Sequence, residues 1–136
     1  MKGHIPVSLF MLFVLLVIAG CGSGSSTDKF ALRAERENKT FPQRLNDSIT
    51  VDSTTFDKEN NTVSYYYSVT RGLDDPSIIA AEYVNIWNGL NRAIQNAVEM
   101  KDYLVAGCTI RYIYYSGSTP ERLAEFKFNP FNDDAR

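Results

Sequence analysis

The sequence predicts an α+β domain of order β-β-α-β-β: a four-stranded, mainly antiparallel sheet with one long helix across one face. Three patterns in the 136 residues carry that expectation. Residues 62–70 alternate strictly, with Val63, Tyr65, Tyr67 and Val69 on one face and Ser64, Tyr66 and Ser68 on the other, the period of a strand. Residues 76–105 switch to a helical period, in which Ile79, Tyr83, Ile86, Leu90, Ala93 and Ala97 recur at spacings of four and three. After Gly107 the alternation of two returns.

Taken in order, residues 28–40 are rich in charge, with Phe30, Ala31 and Ala34 on one helical face. A short helix capped by Asp28 fits this composition, and so does a solvated extension. The folded domain, 41–136, begins near Phe41-Pro42. Residues 46–56 form the first strand, and the polar turn 57–61 ends in two asparagines that tolerate left-handed backbone. The second strand completes an antiparallel hairpin. Asp75 caps the helix, and Pro76 takes the first helical position, where no N–H partner is needed. Gly89 costs ~1 kcal/mol relative to Ala in a helix interior and marks a place where the helix can kink. Gly107 ends the helix as a left-handed residue. Residues 108–115 and 122–128 are the third and fourth strands, joined by the turn 116–120, and 129–136 is a polar tail.

Ahead of this domain lies a different composition. Lys2 is followed by an apolar run from Ile5 to Ile18, interrupted only by Pro6 and Ser8, and then by Ala19 and Gly20. That run is short of the ~20 apolar residues a membrane span needs, and the order of regions is that of a secretory signal over residues 1–20. Ile18-Ala19-Gly20-Cys21 resembles the lipobox of bacterial prolipoproteins. The resemblance implies cleavage before Cys21, a lipid on its thiol and acylation of the new amine. Two or more acyl chains hold a protein stably on a bilayer. By the same resemblance Gly22, which is not Asp, implies the outer membrane in an organism that has one. Residues 22–27 are a Gly/Ser/Thr tether, so 21–27 would hold the domain off the lipid surface. The domain itself is similar to a group of small bacterial envelope proteins through Pro42, Asp47 and Thr50, Tyr65-Tyr66-Tyr67, and Gly107 with Tyr112-Ile113-Tyr114. That similarity implies the element order and no activity.

Composition narrows the chemistry. The one histidine, His4, lies in the leader, so residues 21–136 have no imidazole for a triad, a metal site or acid–base work. Without Lys2 the chain carries 13 basic and 16 acidic residues, a balance unlike that of a nucleic-acid binder. No calcium-loop or glycine-rich phosphate motif is present. We therefore expect no catalytic residue, no metal and no cofactor. Cys108, the remaining thiol, shares its alternation phase with Ile110, Tyr112 and Tyr114 and reads as a small buried hydrophobe; an intermolecular disulfide is the alternative.

The face opposite the helix supplies the candidate binding residues: Tyr66, Arg111, Ile113 and Tyr115. Tyr and Arg are enriched among interface anchors. The function expected is a lipid-anchored binding or scaffold protein of the cell envelope, with an envelope protein or glycan as partner. An inhibitor or immunity lipoprotein against an envelope-attacking enzyme is the alternative, as is an assembly aid for an envelope component. An exposed apolar groove along the helix would favour the assembly aid. A small hydrolase is the least supported reading.

Overall fold

The structure, a computed structural model, describes residues 26–130. The leader, Cys21 and the tail beyond Pro130 lie outside those residues. Five strands form one sheet in sequence order: β1 (Gln43–Arg44), β2 (Ile49–Asp57), β3 (Thr62–Val69), β4 (Thr109–Ser116) and β5 (Arg122–Phe128). The hairpins β2–β3 and β4–β5 are antiparallel, as the alternation predicts, and Asn61 takes a left-handed φ of 49° at the first turn.

The sheet is mainly antiparallel, as expected, in three of its four strand pairs, and two details refine that architecture. The sheet is mixed, because its central pair β3–β4 is parallel. The chain leaves β3, crosses the sheet through its helices and returns at the end where β3 began, so β4 must run in the same direction. The fifth strand is β1, which pairs antiparallel with β2 through Gln43↔Val51 and Arg44↔Thr50. Two residues are too short to show a period. A local turn sets them in place, where the Asn46 side chain accepts the N–H groups of Ser48 and Ile49 at 2.8 and 2.9 Å.

The single long helix is also corrected. Residues 76–105 divide into α2 (Pro76–Ala81), α3 (Tyr83–Asn96), a 3₁₀ turn (Val98–Met100) and α4 (Lys101–Val105). The breaks fall at Glu82 and at Ala97, whose ψ of 122° is extended, and α3 runs unbroken through Gly89. Length explains them. A straight 30-residue helix would reach ~45 Å, whereas the eight-residue strands beneath span ~27 Å. Bending brings Ile79 at one end and Met100 and Tyr103 at the other into burial. The ends follow the sequence: the Asp75 carboxylate accepts the Ser77 N–H at 2.8 Å, Pro76 opens α2, and Gly107 takes φ 71° after α4.

α1 (Ser26–Asn38) belongs to the same packed unit, so the core begins before residue 41. Phe30 is buried between Phe56 and Tyr103, at ring-centroid distances of 5.4 and 4.7 Å. Asn38 ties the end of α1 to β2 with two 2.8 Å bonds, its amide donating to the Thr54 carbonyl and accepting the Thr54 N–H. On the far side α3 is pinned to β5. Tyr83 stacks on Phe126 and Trp87 on Phe128, and the Tyr83 hydroxyl and Trp87 indole N–H donate to the carbonyls of Glu125 and Lys127. Cys108 is fully buried, and its thiol donates to Asn61 Oδ1 at 3.2 Å; burial raises its pKa.

Candidate functional site

The four residues singled out for binding do share one face of the sheet. Tyr66 and Ile113 are direct register partners on the parallel pair, and Arg111 and Tyr115 flank Ile113 on the same side of β4. They form parts of cross-strand rows. Thr55, Ser64, Arg111 and Lys127 are one row; Ser53, Tyr66, Ile113 and Glu125 are the next. Much of this chemistry is used internally. Arg111 Nε donates to Glu125 Oε1 at 2.5 Å, and its Nη1 donates to Ser64 Oγ at 3.2 Å. Arg122 binds the other oxygen of Glu125. The Arg111 guanidinium holds the Glu125 carboxyl below the usual carboxylate range and is itself raised. Ile113 is only 2% exposed, beside the Tyr66 and Glu125 of neighbouring strands, and so offers no contact surface. Tyr66 and Tyr115 are partly exposed. An open basin of about 450 Å³ remains beside Tyr66 and Arg111, and its lining is polar, as Thr55, Asp57, Thr62 and Lys127 illustrate.

The opposite face holds a second concavity of about 370 Å³. Its floor is Tyr65, Tyr67 and Tyr112 from the sheet. One wall is Arg33 and Glu37 of α1 with Phe41. The other is Leu90, Ala93, Ile94 and Ala97 of α3, closed at one end by Glu99 and Met100. The tyrosine rings meet edge to face, Tyr65–Tyr112 at 5.7 Å and Tyr67–Tyr112 at 5.5 Å, the arrangement that ring quadrupoles favour. Burial pushes the phenols of Tyr65, Tyr67 and Tyr112 well above the usual tyrosine range, and that of Tyr114 to about 12. They are therefore neutral hydroxyls at physiological pH. Arg33 stacks on the Tyr103 ring at 4.3 Å and donates to Glu37 Oε1 at 2.8 Å, while the Tyr65 hydroxyl donates to Glu37 Oε2 at 3.0 Å.

This groove is absent from the residues chosen for binding by sequence. Tyr67, Tyr112, Leu90 and Ala93 read there as core beneath a continuous helix. One signal was present: the helical stripe changes from Ile79, Tyr83, Ile86 and Leu90 to Ala93 and Ala97. Where the stripe loses volume, helix and sheet cannot close on each other. Ala93 is exposed and Ala97 partly so. Among the described residues, no cluster of three or more metal-ligating side chains occurs, and no helix is long and apolar enough to cross a membrane.

A family model described as a domain of unknown function, DUF8479, matches residues 25–124. The chain belongs to the DUF8479 family. That match spans α1, the whole crossover and most of the sheet, so it includes every residue lining the groove and the β2–β4 part of the open face, and stops short of Glu125 and Lys127. No curated protein matches the sequence. Two solved structures share the fold. One is a Pseudomonas aeruginosa protein described as secreted, with a TM-score of 0.62, 16% identity, and coverage of 78% of this chain and 95% of that one. The other is the pilotin of the Vibrio vulnificus type 2 secretion system, with a TM-score of 0.51, 10% identity, and coverage of 74% of this chain and 84% of that one. At these identities the likeness establishes the fold of the DUF8479 chain.

Proposed function

We propose that this DUF8479 protein is a non-catalytic, lipid-anchored lipoprotein of the cell envelope, on the outer membrane where there is one. Its groove holds an apolar segment of an envelope protein and so aids the placement or assembly of that partner. The observation that carries the reading is the apolar groove between α1 and α3, the feature that separates an assembly aid from a binder working through the open sheet face. Concave, largely preformed sites with aromatic and aliphatic linings are the usual sites of recognition. The lipobox-like Ile18-Ala19-Gly20-Cys21 supports the anchor, and the tether after it gives the domain reach. The fold shared with a secretion-system pilotin and with a protein described as secreted supports the setting. A non-catalytic role is supported by the lack of histidine after His4 and by the engagement of the half-buried Glu125 with two arginines.

The test is photo-crosslinking in intact cells from a probe placed at Ala93 and, separately, at Tyr66. Mass spectrometry then identifies the crosslinked peptide. An apolar segment of one envelope protein, captured from Ala93 and not from Tyr66, is the expected result. Capture from Tyr66 alone would move the function to the open face and favour the inhibitor or glycan-binding readings. Globomycin or Cys21→Ser should abolish lipidation, and undisturbed membrane partition in either case would overturn the anchor.

A further inference from the structure

We infer that the segment held in the groove is an apolar stretch carrying one basic side chain, whose cationic head is seated over Tyr67 and Tyr112 beside Glu99 and Glu37. This deepens the proposed function and rests on it, but the observations that carry it concern the polar groups of the groove rather than its apolar walls.

The first is charge. The groove lining holds one guanidinium and two carboxylates. Arg33 is already engaged by Glu37 and by the Tyr103 ring. Glu99 forms no hydrogen bond or ion pair among the described residues, and it is an exposed member of the groove lining. One acidic group is thus left without a counter-charge beside a partly dehydrated surface, where a pairing counts for more than in open water. The field reaches the floor: behind burial and the neighbouring Tyr114, the charges of Glu99 and Glu37 raise the Tyr112 phenol, and behind burial, Tyr112 and Tyr114, that of Glu37 raises Tyr67.

The second is the floor. Tyr112 is nine-tenths buried as a residue; its hydroxyl and that of Tyr67 keep contact with solvent and make no hydrogen bond among the described residues. A purely aliphatic occupant would strip water from these hydroxyls and give nothing back, an unfavourable exchange for a polar group. An ammonium or guanidinium group answers every requirement. It donates to phenol oxygens, lies against ring faces that attract cations, and pairs with carboxylates through charge-assisted bonds. An acidic occupant would meet the like charge of Glu99.

The test is selection of binders from a display library of random 12-residue peptides, with the full-length chain in detergent as bait. Three baits are used: the unmodified protein, Glu99→Lys and Ala93→Arg. Circular dichroism confirms that each bait is folded. The expected outcome is enrichment of apolar peptides with a single Lys or Arg on the unmodified protein. On Glu99→Lys, those peptides should bind about tenfold more weakly, roughly one close charge pairing, and the preferred charge should shift toward Asp or Glu. Ala93→Arg, which fills the groove, should remove both sets. Apolar peptides that bind regardless of charge and are lost with Ala93→Arg would overturn this inference and leave the groove reading intact. Peptides indifferent to Ala93→Arg, or no enrichment on any bait, would overturn the groove reading itself.

Discussion

On the helix side of the sheet, β3 and β4 present Val63, Tyr65, Tyr67, Ile110, Tyr112 and Tyr114; on the open side the same strands present Ser64, Tyr66, Ser68, Arg111 and Tyr115. A shift of one residue separates the two sets. The helix side is a continuous aromatic core that includes Phe126 and Phe128. The open side is a lattice of hydroxyls and ion pairs, in which Arg111, Arg122 and Glu125 satisfy one another. The contrast teaches that the side rich in stabilising contacts also carries a groove walled by aromatic and aliphatic side chains, whereas the basin on the open side is polar. Tyrosines fill the sheet surface generously, whereas the helix wall above sets the short side chains of Ala93 and Ala97 between Leu90 and Ile94. Recognition in the proposed groove would use groups already held rigid by the core. On the open side, most charged groups must first leave a partner.

The sharpest way to break this contrast is by stability. Phe126→Ala removes a fully buried ring stacked on Tyr83 and edge-on to Tyr114, and should cost ~3–5 kcal/mol in denaturant unfolding. Tyr66→Ala, on the opposite face, should cost less than ~1 kcal/mol. Similar losses from the two would show that the open face is also core. Next in size is Cys108→Ser. The thiol occupies a fully enclosed apolar position, and the smaller, more polar hydroxyl keeps only the bond to Asn61. A loss of about 1–2 kcal/mol is expected. With the native residue, a thiol reagent should modify Cys108 only as the chain unfolds. Labelling at the rate of a free thiol in native buffer would show that the helix side opens readily.

Much of this could be read in the sequence, for physical reasons that differ by element. The strands were legible because a period of two survives in Val63–Val69 and Ile110–Tyr114 whatever packs on them. The start of α2 was legible because capping by Asp75 and Pro76 is local chemistry. The break at Ala97 was not, since it answers to the length of the sheet below, a tertiary constraint without a local marker. β1 was hidden by its two-residue length. The sequence of α1 admits two readings, and the packing of Phe30 against Tyr103, 73 positions later in the sequence, decides between them. The candidate residues on the open face were correctly placed together, because register follows from alternation. The groove was missed because a cavity is a relation between two elements, and alanine on a helical stripe reads as core until the partner surface is known.

A pH titration sharpens the comparison further. The Glu125 carboxyl is held below the usual carboxylate range, first by the Arg111 hydrogen bond, then by the charges of Arg111 and Arg122. A carboxyl depressed in the folded state contributes stability that is fully present above its unfolded pKa. That contribution is lost as pH falls through the lower, folded value. Glu125→Gln should therefore reduce stability by about 1 kcal/mol or less near pH 7, with the difference shrinking as pH falls below 4.5. The groove tyrosines, raised by burial, should add no pH dependence across the same range. A difference between the two proteins that grows toward low pH would contradict the assigned pairing.

The smallest effect expected has the opposite sign. Gly89 lies inside α3, and a methyl group built on its Cα would meet nothing within 4 Å. Its helix is continuous on both sides, so the bend that glycine would permit is not used. Gly89→Ala should thus restrict the unfolded chain at no steric cost in the folded one, adding about 0.5–1 kcal/mol, or roughly 2–4 °C in Tm for a chain of this size. The substitution touches neither the groove lining nor the open face, and so separates rigidity of the groove wall from its chemistry. If a selected peptide binds with unchanged affinity while Tm rises, α3 already holds the groove in its binding shape. If Tm rises while affinity falls, partner entry requires α3 to yield at Gly89, and the groove seen here is a closed form. If Tm falls, Gly89 takes a conformation in solution that alanine cannot follow, and the straight course of α3 along its wall is wrong.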